Sequence, residues 1–451
     1  MAESESSPSA VAGDHGGSGG RSGRLLNRNF VLLWQGQLVS RMGNQAFAIA
    51  MMFWTMETTG SASLMGAMMM FGTLPVVLLG PLAGTLADRA SRKWILVACD
   101  ALSGLVMLGL SVPFFLPGGE PRVLIAYLAG MALLLGVLQA FFLPASTAAI
   151  PDLVPQEKVA AANSLDQGSL QLSSLVGQSL GGVLYRLLGA PVLFVIDGVT
   201  FLLSALSESF INLPPPERKE EEAGSAWDGY RRDLVEGLRY VWGHRGMRDF
   251  LVLAAAVNFF AMPILVLLPF LVSDNLGRGA EWYGFLLAGF GLGSLLGYVL
   301  AGGVRLPPGA RSSVLLASVV ASSVLLGSLG FVHRPGVALA LMIAIGALNG
   351  FFNILVITAF QVGAREELRG RVMGVVTTVA MAVAPLGMAL GGLFGDLTGK
   401  NLPLLYGLCG GLIASATLLL GLRRPVREFL AYPAPAEPGP PPPHPARGSR
   451  A

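Results

Sequence analysis

GTLADRASRK, residues Gly84 to Lys93, is a short polar island between two long apolar runs. Its four charges, Asp88, Arg89, Arg92 and Lys93, fall where a bilayer-crossing chain must leave the membrane, turn tightly and re-enter. A membrane turn asks only for polarity. Here a glycine, an acid and a base recur at four-residue steps, as Gly84, Asp88 and Arg92, which is more than a turn requires.

The flanks of this island repeat along the chain. The sequence is 53% hydrophobic and 13% charged, about half the charge expected of a soluble domain. A span of about 20 apolar residues, at about 1.5 Å each, crosses a hydrocarbon core of roughly 30 Å. Twelve such windows can be placed, at 28–55, 62–86, 94–116, 122–143, 167–188, 191–212, 249–272, 282–303, 312–331, 336–358, 373–395 and 402–422. The first is too long, and too interrupted by Arg41, to read as a cleavable signal sequence.

Lys and Arg are retained on the cytoplasmic side of such chains. With both tails inside, 24 of the 30 Lys and Arg lie on that side, against five (Arg122, Arg186, Arg278, Arg334 and Lys400) on the other. The distribution predicts a multi-pass protein of the cell inner membrane with both termini cytoplasmic. The net charge of +3 then follows from topology, and no nucleic-acid partner is implied. Cys99 and Cys409 fall inside apolar spans, where thiols pack as small hydrophobes; neither a disulfide nor a metal site is expected.

Three stretches break the pattern. Residues 1–26 are Ser/Gly-rich and 425–451 Pro-rich, and both read as disordered tails. Residues 213–248 open with prolines and a charge cluster. They continue with Trp227, Tyr230, Leu234, Leu238 and Val241 at three- and four-residue steps. That predicts an amphipathic helix on the inner membrane surface, linking an N-terminal bundle (27–212) to a C-terminal one (249–424). A uniform shift of 210 residues brings Glu157 onto Glu367, Leu180 onto Leu390, Gly182 onto Gly392 and Gly189 onto Gly399. The expected fold is therefore all-α and integral to the membrane: twelve transmembrane helices in two six-helix bundles related by a parallel repeat.

The Gly84–Lys93 stretch resembles the loop between helices 2 and 3 of the major facilitator superfamily, roughly G-x-L-A-D-R-x-G-R-K, with Ser91 in place of its second glycine. NRNFVLLWQGQLVS, FVIDGVTFLLS and DLVEGLRYVWGHRGMRDF are similar to the branch holding bacterial macrolide-efflux and enterobactin-exporter proteins, across about 27–424. The resemblance implies a cytoplasmic gate of Gly84, Asp88, Arg89, Arg92 and Lys93. Asp88 would approach the start of helix 11, near Arg371 to Val375, with Arg92 as its local partner. A helix start carries partial positive charge and favours a carboxylate. Arg89 and Lys93 can equally serve topology alone. GQSLGG resembles the antiporter motif of helix 5, but Gln178 replaces its proline, and the fourth span lacks the arginine of many drug/proton antiporters. Both departures leave proton exchange an inference from family.

Two sets of glycines recur, Gly177, Gly181 and Gly182 on the fifth span and Gly387, Gly391 and Gly392 on the eleventh. The four-residue spacing puts the first two of each set on one face, where backbones can approach closely, for packing or for hinging. Arg41 sits mid-span and is costly there, so it should face a cavity or an acid. Gln37, Ser40, Arg41, Asn44 and Gln45 share one helix face and are expected to line a central cavity, opposite Asn258 and Asn353. Asp197, inside the sixth span, is the candidate proton carrier, with a permanent structural pair as the alternative. Asp100 and Asp166 are placed nearer the inner surface, within reach of the gate.

All four histidines (His15, His244, His333 and His444) lie outside the spans, and no phosphate-binding G-x-x-x-x-G-K-[ST] loop occurs. An enzyme is not expected, and no cofactor is implied. The expected function is export of an amphipathic small molecule (a drug, siderophore or secondary metabolite) by a monomer exchanging it for protons. Uptake of a nutrient on the same scaffold, and a non-transporting sensor or scaffold, are the alternatives.

Overall fold

The computed structural model describes residues 25–116, 120–213, 226–304 and 307–431. The expected N-terminal tail up to residue 24, the Pro-rich turn of the linker and residues 432–451 lie outside them. Among the described residues the chain is entirely helical. The helices are α1 (Arg28–Thr59), α2 (Ala62–Arg89), α3 (Arg92–Ser111), α4 (Pro121–Leu153), α5 (Val159–Ser209), α6 (Ala226–Gly243), α7 (Arg245–Phe270), α8 (Ala280–Gly303), α9 (Pro308–Leu329), α10 (Pro335–Gly363), α11 (Arg369–Leu397), α12 (Leu402–Ala416) and α13 (Arg424–Ala431).

Local chemistry fixes several of these ends. The Asn27 side chain accepts from the Phe30 N–H at 3.0 Å to start α1. Gly60, at φ 63°, closes the same helix in the left-handed conformation, and Ser61 caps α2 one residue later. Prolines open α4, α9 and α10, where a missing N–H costs nothing. The turn inside the Gly84–Lys93 stretch is only Ala90 and Ser91. Ser91 has φ −63° and ψ 110°, ordinary extended backbone, so a glycine is not required at this point.

Ten helices among the described residues are long and apolar enough to cross a membrane. One of them, Gln156–Ser209, contains a break: Gly189, at φ 77° and ψ 169°, splits α5 into arms of 159–188 and 190–209. At 32 residues α1 is long enough but falls outside the ten. Helices α4, α5, α10 and α11 overrun the apolar windows that locate them, because hydropathy marks the hydrocarbon and the backbone stays helical beyond it. The C-terminal tail starts later than the sequence suggests. Residues 424–431 form α13, which turns Val426 and Leu430 inward against the start of α7.

The 210-residue repeat has a structural counterpart. Single 3₁₀ turns occur at Gln156–Lys158 and Glu366–Leu368, and left-handed glycines at 189 and 399 (φ 77° and 61°).

Both described chain ends lie on one face, here the terminal face; the other is the far face. The core differs between them. Towards the far face one apolar cluster joins both halves of the chain, bringing Phe53, Met65 and Phe194 together with Leu267, Tyr283 and Met388. Towards the terminal face there are two clusters. One, around Phe30, Leu96, Ile150 and Ile211, belongs to the N-terminal half; the other, around Phe250, Phe360, Val372 and Val426, to the C-terminal half. The halves are joined at one end and apart at the other.

Candidate functional site

The polar face of α1 is tied into the N-terminal half. The Gln37 Nε2 donates to Ser146 of α4 at 2.7 Å, and Arg41 donates to Gln37 Oε1 at 2.7 Å. Arg41 also makes a 2.8 Å salt bridge to Asp166 of α5. A guanidinium in the membrane needs such a partner, and Asp166 supplies it instead of joining the gate. Ser40 is buried, and Gln178 donates to Gln45 at 3.3 Å. Asn44, on the same face as Gln37, Arg41 and Gln45, is exposed. In the C-terminal half Asn353 of α10 is exposed, and Asn258 of α7 has a buried Oδ1 without a hydrogen-bond partner. Each half thus carries an exposed amide, Asn44 on α1 and Asn353 on α10, and the one cation on the polar face of α1 is paired.

The loop residues do other things. Arg92 pairs with Asp152 of α4, donates to the Ala148 carbonyl at 3.1 Å and reaches the Ala87 carbonyl at 3.4 Å. It locks the ends of α2 and α4 to the start of α3. The Asp88 side chain lies outside the described residues. Arg371, expected near Asp88, is bound by the linker helix: its Nε meets Asp233 and its Nη1 meets Glu236, each at 2.8 Å. A Cβ added to Gly237 of α6 would lie 2.7 Å from the Arg371 carbonyl oxygen, so α6 sits directly on the start of α11. Of the linker's apolar residues Val241 is buried and Leu238 exposed. Lys93 lies over the Trp94 ring at 5.8 Å, Arg89 is exposed, and a Cβ at Gly84 would meet nothing.

The two glycine sets divide by role. A Cβ at Gly177 or Gly181 would press on α1, at Gln45 and Ala46, and one at Gly387 or Gly391 on α7, at Phe259 and Pro263. These four hold each half together. The third of each set faces the other half: a Cβ on Gly182 would land on the Ala280 carbonyl oxygen, and one on Gly392 on that of Ala62. Each contact is returned. Gly284 meets the Gln178 carbonyl, and Gly66 that of Met388. Such approaches leave no room for a side chain.

Asp197 is buried on the second arm of α5 against Gly43 of α1; its Oδ1 accepts from Thr200 at 3.3 Å and its Oδ2 has no partner. Two further buried acids carry unpartnered oxygens, Asp100 on α3 and Glu208 on the same arm as Asp197. Burying carboxylates without partners is expensive in the charged form.

Sequence reasoning missed Asp152, Glu208, and a set of contacts between the halves on the far face. The Asp396 carboxylate, at the end of α11, accepts from the Ser61 hydroxyl at 2.7 Å and from the Ala62 and Ser63 N–H groups at 2.9 Å. Arg186 of α5 pairs with Glu281 of α8 at 2.9 Å. The repeat held the signal for the last two, since Arg186 and Asp396 are 210 residues apart.

Residues 23–443 match the family described as transmembrane secretion effectors. The chain is 25% identical over 382 residues to macrolide efflux protein A of Streptococcus pyogenes, covering 82% of this chain and 90% of that protein. It is 29% identical over 378 residues to enterobactin exporter EntS of Shigella boydii, covering 83% and 85%. Among solved structures a D-xylose-proton symporter superposes with a TM-score of 0.62 at 15% identity, covering 87% of this chain and 98% of that one. That likeness is one of fold.

Proposed function

The chain belongs to the transmembrane secretion effectors of the major facilitator superfamily, and from that membership we propose that it exports an amphipathic small molecule by alternating access, in exchange for protons. It is a multi-pass membrane transporter; cargo, coupling and direction are what the proposal adds. Counting α1 and both arms of α5 brings the ten candidate helices to twelve spans, in two bundles of six on either side of α6. The Lys and Arg distribution supports the terminal face as cytoplasmic, in the inner membrane. The protein works as a monomer, with lipid, cargo and protons as its partners.

One observation carries the reading: the halves share an apolar core at the far face and hold separate cores at the terminal face. Rocking about a central site requires two such arrangements, and this one is open to the terminal side. Gln37, Ser40, Arg41, Asn44, Gln45, Asn258 and Asn353 border the opening. Amides with a single neutralised cation suit a bulky, largely uncharged cargo better than an anion. The exporting relatives, named for a macrolide and for enterobactin, support the same class and direction. Asp197 is the proton carrier, a buried acid with one oxygen left for a proton. Asp88, Arg89, Arg92 and Lys93, with Gly84 beside them, form the gate that closes the terminal face.

The test is efflux of a dye or macrolide from a pump-deficient bacterium expressing the protein, with and without a protonophore. Export that the protonophore abolishes is the expected result. Export that survives it would overturn the coupling, and no export of any amphipathic probe would overturn the cargo class.

A further inference from the structure

The far-face contacts obey the internal repeat residue by residue. A shift of 210 carries Gln178, Gly182 and Arg186 of α5 onto Met388, Gly392 and Asp396 of α11. A shift of 218 carries Ala62, Ser63 and Gly66 of α2 onto Ala280, Glu281 and Gly284 of α8. The glycine contacts are equivalent under these shifts: Gly182 on the Ala280 carbonyl matches Gly392 on that of Ala62, and Gly284 on Gln178 matches Gly66 on Met388. The polar contacts match as well, since Arg186–Glu281 and Asp396–Ser63 are the same pair of positions. The charge has been rearranged between them. In the α5/α8 crossing α8 carries its own first-turn acid and α5 brings the base. In the α2/α11 crossing α2 has no acid in its first turn, and α11 brings the carboxylate to its bare N–H groups.

We propose that Asp396 is the principal latch of the far face, a positioning residue that holds the transporter open to its terminal side, with Arg186–Glu281 as a weaker latch. This rests on the alternating-access reading above. The geometry supports the ranking. Two N–H groups of α2, without helical acceptors of their own, and the Ser61 hydroxyl converge on one carboxylate, at the helix end where negative charge is favoured. The Arg186 side chain is 69% exposed, and exposed pairs contribute little. Both latches span the two halves, so both must break when the far face opens. Asp396 and Asp88 then act on the same two helices from opposite ends: Asp396 at the end of α11 on the start of α2, and Asp88 at the end of α2 on the start of α11.

The test reads conformation apart from transport. Spin labels replace Val123 and Val337, exposed near the far-face starts of α4 and α10, in full-length protein with Cys99 and Cys409 changed to alanine. A second pair replaces the exposed Glu157 and Glu367 at the terminal face. In lipid discs with a macrolide probe, wild type should exchange between short and long far-face distances, with the terminal pair changing in the opposite sense. Asp396→Asn should raise the long far-face population about three- to tenfold, Ser61→Ala about twofold, and Arg186→Gln less than either. Distributions for Asp396→Asn and Ser61→Ala that match an exchanging wild type would overturn the latch and leave alternating access standing. A wild type that never exchanges would overturn both.

Discussion

The two ends of this molecule are built from the same helices and behave differently. At the far face α2 meets α11 and α5 meets α8 through glycine on carbonyl, sealed by Asp396 and by Arg186–Glu281. At the terminal face the apolar clusters stop at the boundary between halves, and the start of α11 is occupied by the linker helix through Arg371, Asp233 and Glu236. Closure here is a matter of backbone fit completed by a few charges. The far end shows that fit made, and the proposed gate assigns the terminal end's to Gly84 and Asp88.

The comparison can be broken most forcefully at a crossing. Gly392→Leu puts a side chain onto the Ala62 carbonyl, and overpacking of about 1–3 kcal/mol falls on the closed far face alone. Transport should fall at least tenfold at unchanged membrane levels, with the far-face label pair moving to long distances. Unchanged distances would mean that the crossing is not what closes that face. Asp88→Asn attacks the other end and should lower transport by about three- to tenfold at normal expression, with the terminal-face pair held at long distances. Full transport at equal expression would remove Asp88 from the gate. The smallest effect is expected of Gly84→Ala. A Cβ there meets nothing in this arrangement, so its cost must arise when the terminal face closes. A loss of about twofold to fivefold, roughly the scale of 1 kcal/mol, should accompany a shift towards the terminal-open state. No change in either measurement would show that the glycine serves only the local turn.

Much of the architecture was legible because membrane insertion writes itself into composition. Apolar windows located the helices, and GQSLGG with GMALGG revealed the internal repeat. The glycine spacing placed Gly177 with Gly181 and Gly387 with Gly391 on common faces. It said nothing of Gly182 and Gly392 facing the other half, which depends on how two helices cross. Arg41 announced its need for an acid but not which one, because Asp166 lies 125 residues away. Asp396 was invisible for a different reason. It stands at the rim of a span, where acids are common, and its partners are backbone N–H groups, which carry no residue signature. The α13 helix hid in a proline-rich tail because its inward face is only two residues, Val426 and Leu430.

The central claim is that the far face must open for cargo to pass. It is tested most directly by joining Arg186→Cys and Glu281→Cys with a reducible thiol-to-thiol bridge, in a chain with Cys99 and Cys409 replaced. The unbridged variant should export, since the Arg186–Glu281 pair is the weaker latch. The bridged protein should bind the macrolide probe from the terminal side yet export none, and reduction should restore efflux. Export by the bridged protein at the unbridged rate would contradict the account.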